Sequence, residues 1–468
     1  MLNCSNKSIV FGKKTAIAFS ALLASCTEFT NVGPPHTQLT QQAVFVSDQA
    51  AVSALTGMYS RMVAGGGFAS GGGQSITVLA GLSSDELITY SSGENLQFES
   101  NQLVAENSRI RQALWSEPYR IIYTCNAILE ALTVSNQVSE GTKAQLAGEA
   151  KFVRAFCYFY LINLFGDVPL HLTTNYRTNS TGPRTKVAEV YQQVIQDLLE
   201  AEKLLKEAAV VNRMRPDSWT VAALLARVYL YLKDWEKAAF WSSEIINSGR
   251  YVVESDIENT FLMTSKATIW QLMPVEPGRN TNEANYFVHT VSPASKATGE
   301  VLSNGLLNAF ETGDLRKNAW VGAVSDQSGT LFYPFKYRIS QAGHPLQECS
   351  IVFRLEEQLL IRAEARAQLG QLSESIDDIN AVRKRAGLSD VLSDTGATTR
   401  LLVQQIFQER RIEFFAEWGQ RWFDLKRSNQ VDSVMISINS FWKPTSSLYP
   451  IPASEVQSNP SIDQNAGY

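Results

Sequence analysis

Residues 148–170 read GEAKFVRAFCYFYLINLFGDVPL, and the part from Phe152 to Leu164 is apolar on nearly every side. A helix with an apolar surface all round has to be enclosed by other elements, because a surface helix keeps one polar face toward water. Gly166 followed by Pro169 marks its end, since glycine accepts a left-handed cap and proline prevents continuation. The stretch therefore predicts a central helix that neighbouring helices cover.

Helical hairpins are predicted on both sides of this stretch, closed by glycines such as Gly249 and Gly387. Ala226, Tyr229 and Ala238 match the spacing of small and aromatic residues in a tetratricopeptide repeat, where small residues let helices approach closely. Each hairpin exposes an apolar face that another hairpin can cover, so we predict a mainly α fold, a tetratricopeptide-like array of about four hairpin units. The predicted helices are 117–132, 142–165, 219–232, 235–247, 355–369 and 373–385.

The helical pattern stops between residues 251 and 350, where glycine, serine, asparagine and aromatics take over and Pro277-Gly278 signals a turn. This region is predicted to be a loop-rich insertion, and the glycine-rich segment 65–101 is predicted to be another loop. Its glycines are not a dinucleotide fingerprint, because neither a preceding strand nor a well-formed following helix is evident. Loops on a rigid scaffold often carry binding residues, so both segments are expected to contact a ligand.

Both segments contain aromatic residues that could stack on sugars. A flat ring offers a large apolar face, and a good stack contributes on the order of 1 kcal/mol. The alternative for each ring is a plug in the core of the insertion. For Asp85, which follows Ser83 and Ser84, the alternative to ligand binding is a role as a helix cap. The ligand-binding candidates, chosen by loop position and chemistry, are Tyr90, Phe98, Tyr286, Trp320 and Asp85.

The amino terminus has the character of a secretion signal. Lys13 and Lys14 precede an apolar run from Thr15 to Ala24, about half the length that a membrane-spanning helix needs. The run ends in Leu-Ala-Ser-Cys26, which resembles the lipobox of bacterial lipoproteins, where cleavage leaves the cysteine as the lipidated first residue. Residues 1–25 are therefore predicted to be a lipoprotein signal peptide and 26–41 a flexible tether. The alternative is an ordinary secretory signal with a chance cysteine.

Composition argues against several classes of protein. The net charge is −5, and basic residues are interspersed with acids at helical spacing, so nucleic acid is not an expected partner. None of the five cysteines has zinc-ligand or redox-motif spacing, and Cys125 and Cys157 are expected to be buried free thiols. Asp85 and Glu86 are adjacent, so they cannot flank one glycosidic bond as a hydrolase requires. We predict neither an enzyme nor a cofactor or metal.

Four segments resemble the SusD/RagB family of outer-membrane nutrient-binding lipoproteins. Together with the lipobox they span nearly the whole chain. Within them, Arg154, Glu413 and Arg421 are expected to pair with opposite charges or to cap backbone groups. The segments are 148–170, 360–387 with its Arg-Ala-Glu-Ala core, 409–427 ending in RWFDLKR, and the terminus 450–468.

The resemblance implies a scaffold of four tetratricopeptide-like units with an irregular ligand-binding portion. It also implies a lid position on a TonB-dependent transporter of the SusC type, in a lipid-anchored protein of the outer membrane that faces the cell surface. Ligands in the family are most often oligosaccharides, although peptides and other nutrients occur. The binding aromatics of the family lie outside its shared motifs, so none transfers to this chain by matching.

We therefore predict a cell-surface lipoprotein that binds a glycan and delivers it to a SusC-like TonB-dependent transporter. Two alternatives are a tetratricopeptide-type interaction protein of the envelope without a small ligand, and a peptide-binding receptor. The predicted SusD-like domain covers residues 42–468. Its helical scaffold is placed mainly at 105–250 and 351–430, with the insertion at 251–350.

Overall fold

The computed structural model describes residues 45–64, 66–206, 212–327, 329–391 and 398–468. The predicted signal peptide, the lipidation site Cys26 and the tether lie outside these residues. Helices dominate the described part of the chain, so the prediction of a mainly α fold is confirmed.

The elements are numbered in chain order. The helices of the first half are α1 (Asp48–Val63), α2 (Ile76–Ser83), α3 (Glu94–Glu99), α4 (Glu117–Val134), α5 (Glu140–Phe165), α6 (Tyr176–Asn179), α7 (Val187–Leu205), α8 (Ser218–Tyr231) and α9 (Trp235–Asn247), with a π-helix (Ile110–Ser116) before α4. Those of the second half are α10 (Asn282–Phe287), α11 (Pro293–Lys296), α12 (Asn304–Leu307), α13 (Leu315–Trp320), α14 (Leu355–Gln368), α15 (Leu372–Arg385), α16 (Thr399–Glu413), α17 (Gln420–Arg427), α18 (Val431–Ile438) and α19 (Ala453–Ser458), with 3-10 turns at Ile257–Asn259 and Pro444–Ser447. The strands are β1 (Leu87–Thr89), β2 (Thr268–Leu272), β3 (Glu300–Leu302), β4 (Val321–Asp326), β5 (Gly329–Pro334) and β6 (Ser350–Arg354).

Helix α5 is the central helix that residues 148–170 predict. Ser139 caps its first turn by accepting a hydrogen bond from the backbone N–H of Thr142. Gly166 ends it with a φ of +73°, a conformation that favours glycine. The buried ring of Phe156 lies 5.5 Å from the ring of Trp270 and 5.7 Å from that of Trp418, measured between centroids. Helix α5 therefore joins the insertion and the carboxyl-terminal part of the chain in one core.

The longer helices pack as a continuous array. Helix α4 packs on α5, α5 on α7, α7 on α8 and α8 on α9, and α14 then packs on both α15 and α16. Helices α9 and α14 also pack on each other, although residues 248–354 separate them in sequence. Strands β2 and β6 pair antiparallel at the two ends of that segment and close its base. The segment therefore leaves the array and returns to it at one place, while the exact domain bounds stay a prediction.

Buried charges in the helices are paired. Arg154 donates two hydrogen bonds to Asp197, at 2.8 and 2.7 Å. Glu413 accepts hydrogen bonds from three buried guanidinium groups, those of Arg316, Arg354 and Arg385. Arg421 donates to Asp85 at 2.7 Å. The prediction that Arg154, Glu413 and Arg421 pair with opposite charges is confirmed.

Residues 66–101 are not the loop that their composition predicts. Helix α2 lies in this segment, with Ser75 as its cap and every residue buried. Strand β1 follows and pairs antiparallel with β3, which places Thr89 opposite Glu300. Helix α2 has only eight residues and lacks a polar face, so it has no 3.6-residue periodicity by which the sequence could reveal it. Segment 66–101 is therefore a packed part of the core whose turns meet the insertion.

Cys125 and Cys157 are buried free thiols, as predicted. Burial raises the pKa of Cys125 to about 12, so this thiol stays protonated and behaves as a small hydrophobe. Within the described ranges, none of the helices combines the length and apolar character that crossing a bilayer requires.

Candidate functional site

A polar pocket of about 660 Å³ lies where the turns of segment 66–101 meet helix α10 of the insertion. Both segments that the sequence marks as ligand-binding contribute to it. Its walls are mainly amide, hydroxyl and charged groups around the ring of one tyrosine. Its lining includes the side chains of Gln74, Asn95, Arg109, Asn282, Asn285 and Tyr286.

The carboxylate of Glu300 organises this pocket from beneath. It is completely buried, and its Oε1 accepts hydrogen bonds from Thr89 at 3.0 Å and from Asn95 at 2.8 Å. Tyr286 donates its phenol hydrogen to the other oxygen of Glu300. Burial and the charge of Glu300 raise the pKa of Tyr286, so the phenol keeps its proton. One carboxylate thus holds the tyrosine ring and an amide in place.

Two glycines allow the backbone to pass close to helix α10. A Cβ at Gly73 would lie 2.5 Å from the ring of Tyr286, and a Cβ at Gly71 would overlap the carboxylate of Glu283. Asn282 ties the same turn to the helix, because its Nδ2 donates to the carbonyl of Ser70 at 2.8 Å. The glycine-rich stretch therefore packs against the tyrosine instead of cradling a phosphate.

The remaining walls offer hydrogen-bonding groups of both kinds. Arg109 is one third exposed and lies 3.5 Å from the carboxylate of Glu94. Asn285 accepts a hydrogen bond from Arg279 at 2.9 Å, which leaves its amide hydrogens for a ligand. An aromatic ring with amides, a guanidinium and carboxylates around it can hold a molecule that has both an apolar face and many hydroxyl groups.

The structure separates the five predicted ligand-binding residues. Tyr286 lines the pocket. Tyr90 is half-buried beside it, and its backbone N–H donates to Gly299 at 2.9 Å. Phe98 is fully buried with its ring against that of Tyr449, 5.5 Å between centroids. Trp320 is 1% exposed, so two of the predicted stacking rings are core residues and no ligand can stack on them in this structure.

The predictions for Trp320 and Asp85 are corrected, because each side chain already has partners that the sequence does not reveal. The ring of Trp320 packs on Phe261 at 5.3 Å, and the charged ends of Lys336 and Arg385 lie about 5 Å from it. Asp85 accepts hydrogen bonds from Arg421 and forms an ion pair with Arg411 at 2.7 Å. Burial by itself would raise the pKa of Asp85, but the two arginines lower it below its usual value. Asp85 therefore serves the packing of segment 66–101 on the late helices.

Several pocket residues were missed by the sequence analysis, which concentrated on aromatic rings. Asn282 and Asn285 belong to the run Asn-Thr-Asn-Glu-Ala-Asn at 280–285, whose density of amides was an available signal. Gln74, Asn95 and Arg109 have no comparable signal, because their place in the pocket depends on the pairing of β1 with β3.

Glu283, in the first turn of α10, supports the pocket from the buried side. Ser350 donates a hydrogen bond to its Oε1, whereas its Oε2 has no hydrogen-bond partner among the described residues. Burial raises the pKa of Glu283 to about 7, so its folded form favours the neutral acid. This pKa lies above the unfolded value. The contribution of Glu283 to the free energy of unfolding is therefore fully present below about pH 4.5 and is lost as the pH rises through 7.

Glu283→Gln is therefore expected to be more stable relative to the wild type at pH 8 than at pH 5. The relative gain is on the order of 3 kcal/mol, because glutamine keeps the neutral shape and cannot ionise. Urea unfolding at the two pH values measures it. Glu276→Gln is the matched control, since Glu276 is exposed in the same region and should follow the wild-type profile. If Glu283→Gln and the wild type differ in unfolding free energy by the same amount at both pH values, the raised pKa of Glu283 is contradicted.

Comparisons with known proteins agree with the fold. Residues 41–230 match a family described as starch-binding and associating with the outer membrane, and residues 311–468 match the SusD family. SusD-like protein P2 of Formosa agariphila is 27% identical over 374 residues, covering 70% of this chain and 74% of that protein.

Solved structures give the same result for the fold. A SusD superfamily protein from Bacteroides vulgatus superposes with a TM-score of 0.79 at 20% identity, covering 91% of this chain and all of that one. A laminarin-binding SusD-like protein superposes with a TM-score of 0.74 at 22% identity, covering 90% of this chain and all of that one. The array of hairpins with its insertion is thus a known architecture.

Proposed function

Because the chain belongs to the SusD/RagB family of outer-membrane-associated glycan-binding proteins, we propose that it captures an oligosaccharide in the Tyr286 pocket and delivers it to a SusC-like TonB-dependent transporter. The proposed role is binding without a chemical step. Peptide binding is the alternative that the same experiment addresses.

The observation that carries this proposal is the arrangement of Tyr286 over Glu300 with amides on either side. A pyranose ring has one face of C–H groups and a rim of hydroxyls, which matches a fixed aromatic ring surrounded by donors and acceptors. Tyr286 is held by its hydroxyl and by the close backbone of Gly73, so its ring is oriented before the ligand arrives. Such preorganisation lowers the entropic cost of binding.

The membrane anchor is part of the proposal. Cys26 follows a signal-like stretch, and acyl chains at this cysteine would hold the protein at the membrane, with each buried methylene contributing about 0.8 kcal/mol. An anchored receptor beside its transporter has a high effective concentration, so modest affinity for a sugar is sufficient. Metabolic labelling with palmitate, lost in Cys26→Ser, tests the anchor.

Isothermal titration of the mature protein against a panel of polysaccharides tests the ligand class. Starch and laminarin belong in the panel because the matched family and one structural relative are described as binding them. Heat of binding with at least one glycan, and none with a mixture of tryptic peptides, is the expected result. Binding of peptides alone would replace the glycan with a peptide as the ligand, and absence of binding to either would favour a protein-interaction role.

A further inference from the structure

A second concavity, of about 520 Å³, lies between helix α4, segment 169–180 and helix α19. We call it the aromatic groove. It shares no lining residue with the Tyr286 pocket, and apolar atoms make up most of its wall. The proposed function leaves it unexplained.

The aromatic groove has a layered set of rings. Trp115 and Tyr119 lie 5.2 Å apart between centroids, and Tyr119 and His171 are also 5.2 Å apart. Tyr119 is fixed because its hydroxyl donates to the carbonyl of Pro169 at 2.7 Å. Tyr123, four residues beyond Tyr119 on the same helix face, is 53% exposed, and Tyr176 is 70% exposed. The base of the groove is therefore rigid, while two tyrosines at its edge have rings open to a ligand.

Polar groups accompany these rings. The Nε2 atom of His171 is buried without a hydrogen-bond partner among the described residues. Burial lowers the pKa of His171, so its ring is neutral at pH 7. Arg120 is already paired with Glu117 at 3.2 Å, which leaves little excess charge for an anion. Open rings with neutral hydrogen-bonding groups suit an uncharged polyhydroxylated ligand.

A third concavity, of about 800 Å³, lies between the two sites. It shares Arg120 with the aromatic groove, and it shares Gly66 and Gln74 with the Tyr286 pocket. Its wall between these points is polar and includes Arg61 and Arg111. The three concavities thus lie next to one another along the surface, and we call them together the track.

We propose that this track is a single extended site for a glycan chain, in which Tyr286 holds one part and the aromatic groove stacks on sugar units farther along. This inference rests on the proposed function and specifies its ligand as a polysaccharide segment longer than a trisaccharide. Tyr123 and Tyr176 determine the preference for chain length, since they line the aromatic groove and take no part in the Tyr286 pocket.

The test compares polymers with trisaccharides by titration, using soluble starch with maltotriose and laminarin with laminaritriose. Tyr123→Ala combined with Tyr176→Ala should weaken binding of the preferred polymer about tenfold or more, because two stacking rings are lost, and should leave its trisaccharide unaffected. Both residues are exposed, so the melting temperature should stay within about 2 °C of the wild type. Phe240→Ala, which removes a ring that is 54% exposed on α9, is the matched control and should bind like the wild type.

The outcomes separate this inference from the proposed function. A double variant that binds the polymer as tightly as the wild type overturns the extended site and leaves glycan binding at Tyr286 intact. Equal wild-type affinity for polymer and trisaccharide overturns it as well. A wild-type protein that binds neither polymer nor trisaccharide of either pair, and no other glycan of the panel, overturns the proposed function and this inference with it.

Discussion

Tyr286→Ala is expected to weaken glycan binding at least tenfold, for short and long ligands alike. The variant removes the one ring in the polar pocket that is both accessible and held in place from two sides, by Glu300 and by Gly73. A stacked ring contributes about 1 kcal/mol, and loss of its orienting hydrogen bond adds a similar amount, so a factor of ten is a lower bound. Isothermal titration with the glycan that binds best provides the measurement.

Two further variants make this result specific. Tyr286→Phe keeps the ring but loses the hydrogen bond to Glu300, so it should bind more weakly than the wild type and more tightly than Tyr286→Ala. Phe332→Ala removes a ring that is 37% exposed on strand β5, outside the pocket, and should bind normally. Wild-type affinity in Tyr286→Ala would remove this pocket from the binding site.

Glu413→Ala is expected to lower the free energy of unfolding by about 3–5 kcal/mol, because it leaves buried guanidinium groups without their shared counter-charge. Glu413 accepts from Arg316 at 2.9 Å and also from Arg354 and Arg385, and all of these side chains are nearly inaccessible. Burial favours the neutral acid, but the three arginines outweigh it and hold the pKa of Glu413 well below its usual range. Its stabilising contribution is therefore fully present at neutral pH, and it is lost progressively as the pH falls from about 4.5 toward the lowered pKa.

Urea unfolding measures the effect, with Glu140→Ala as the control. Glu140 pairs with Lys143 at 2.8 Å, but its side chain is 89% exposed, and exposed pairs of this kind contribute little. An unchanged midpoint for Glu140→Ala and a large shift for Glu413→Ala are expected. Similar small shifts in both would mean that the buried cluster is not important for stability.

The sequence predicted the long helices well because their signals are redundant. Helix α5 was expected at 142–165 and spans Glu140–Phe165, since an apolar run, a glycine and a proline all mark its end. Helix α2 was missed because eight buried residues carry no periodic pattern. Local sequence therefore identifies long helices far better than short ones that tertiary packing stabilises.

The candidate site was predicted only in part, for a different reason. An aromatic residue in an irregular segment has the same sequence signature whether it faces solvent or fills a core. Tyr286 reached the pocket, whereas Phe98 and Trp320 are buried. Which of the two occurs depends on contacts between distant segments, such as the pairing of β1 with β3, and no local pattern records these contacts.

The packing of α9 against α14 has a consequence for how specificity can change. The segment between them leaves the helical array and rejoins it at the contact between α9 and α14. The antiparallel pair of β2 and β6 holds the two ends of the segment together. Residues 273–349 are also tied to the rest of the chain, because Arg316 donates to Glu413 and β3 pairs with β1, so a changed sequence has to keep these contacts. Differences at positions outside those contacts, such as the exposed Asn285, can accordingly reshape the pocket while the helical array stays unchanged.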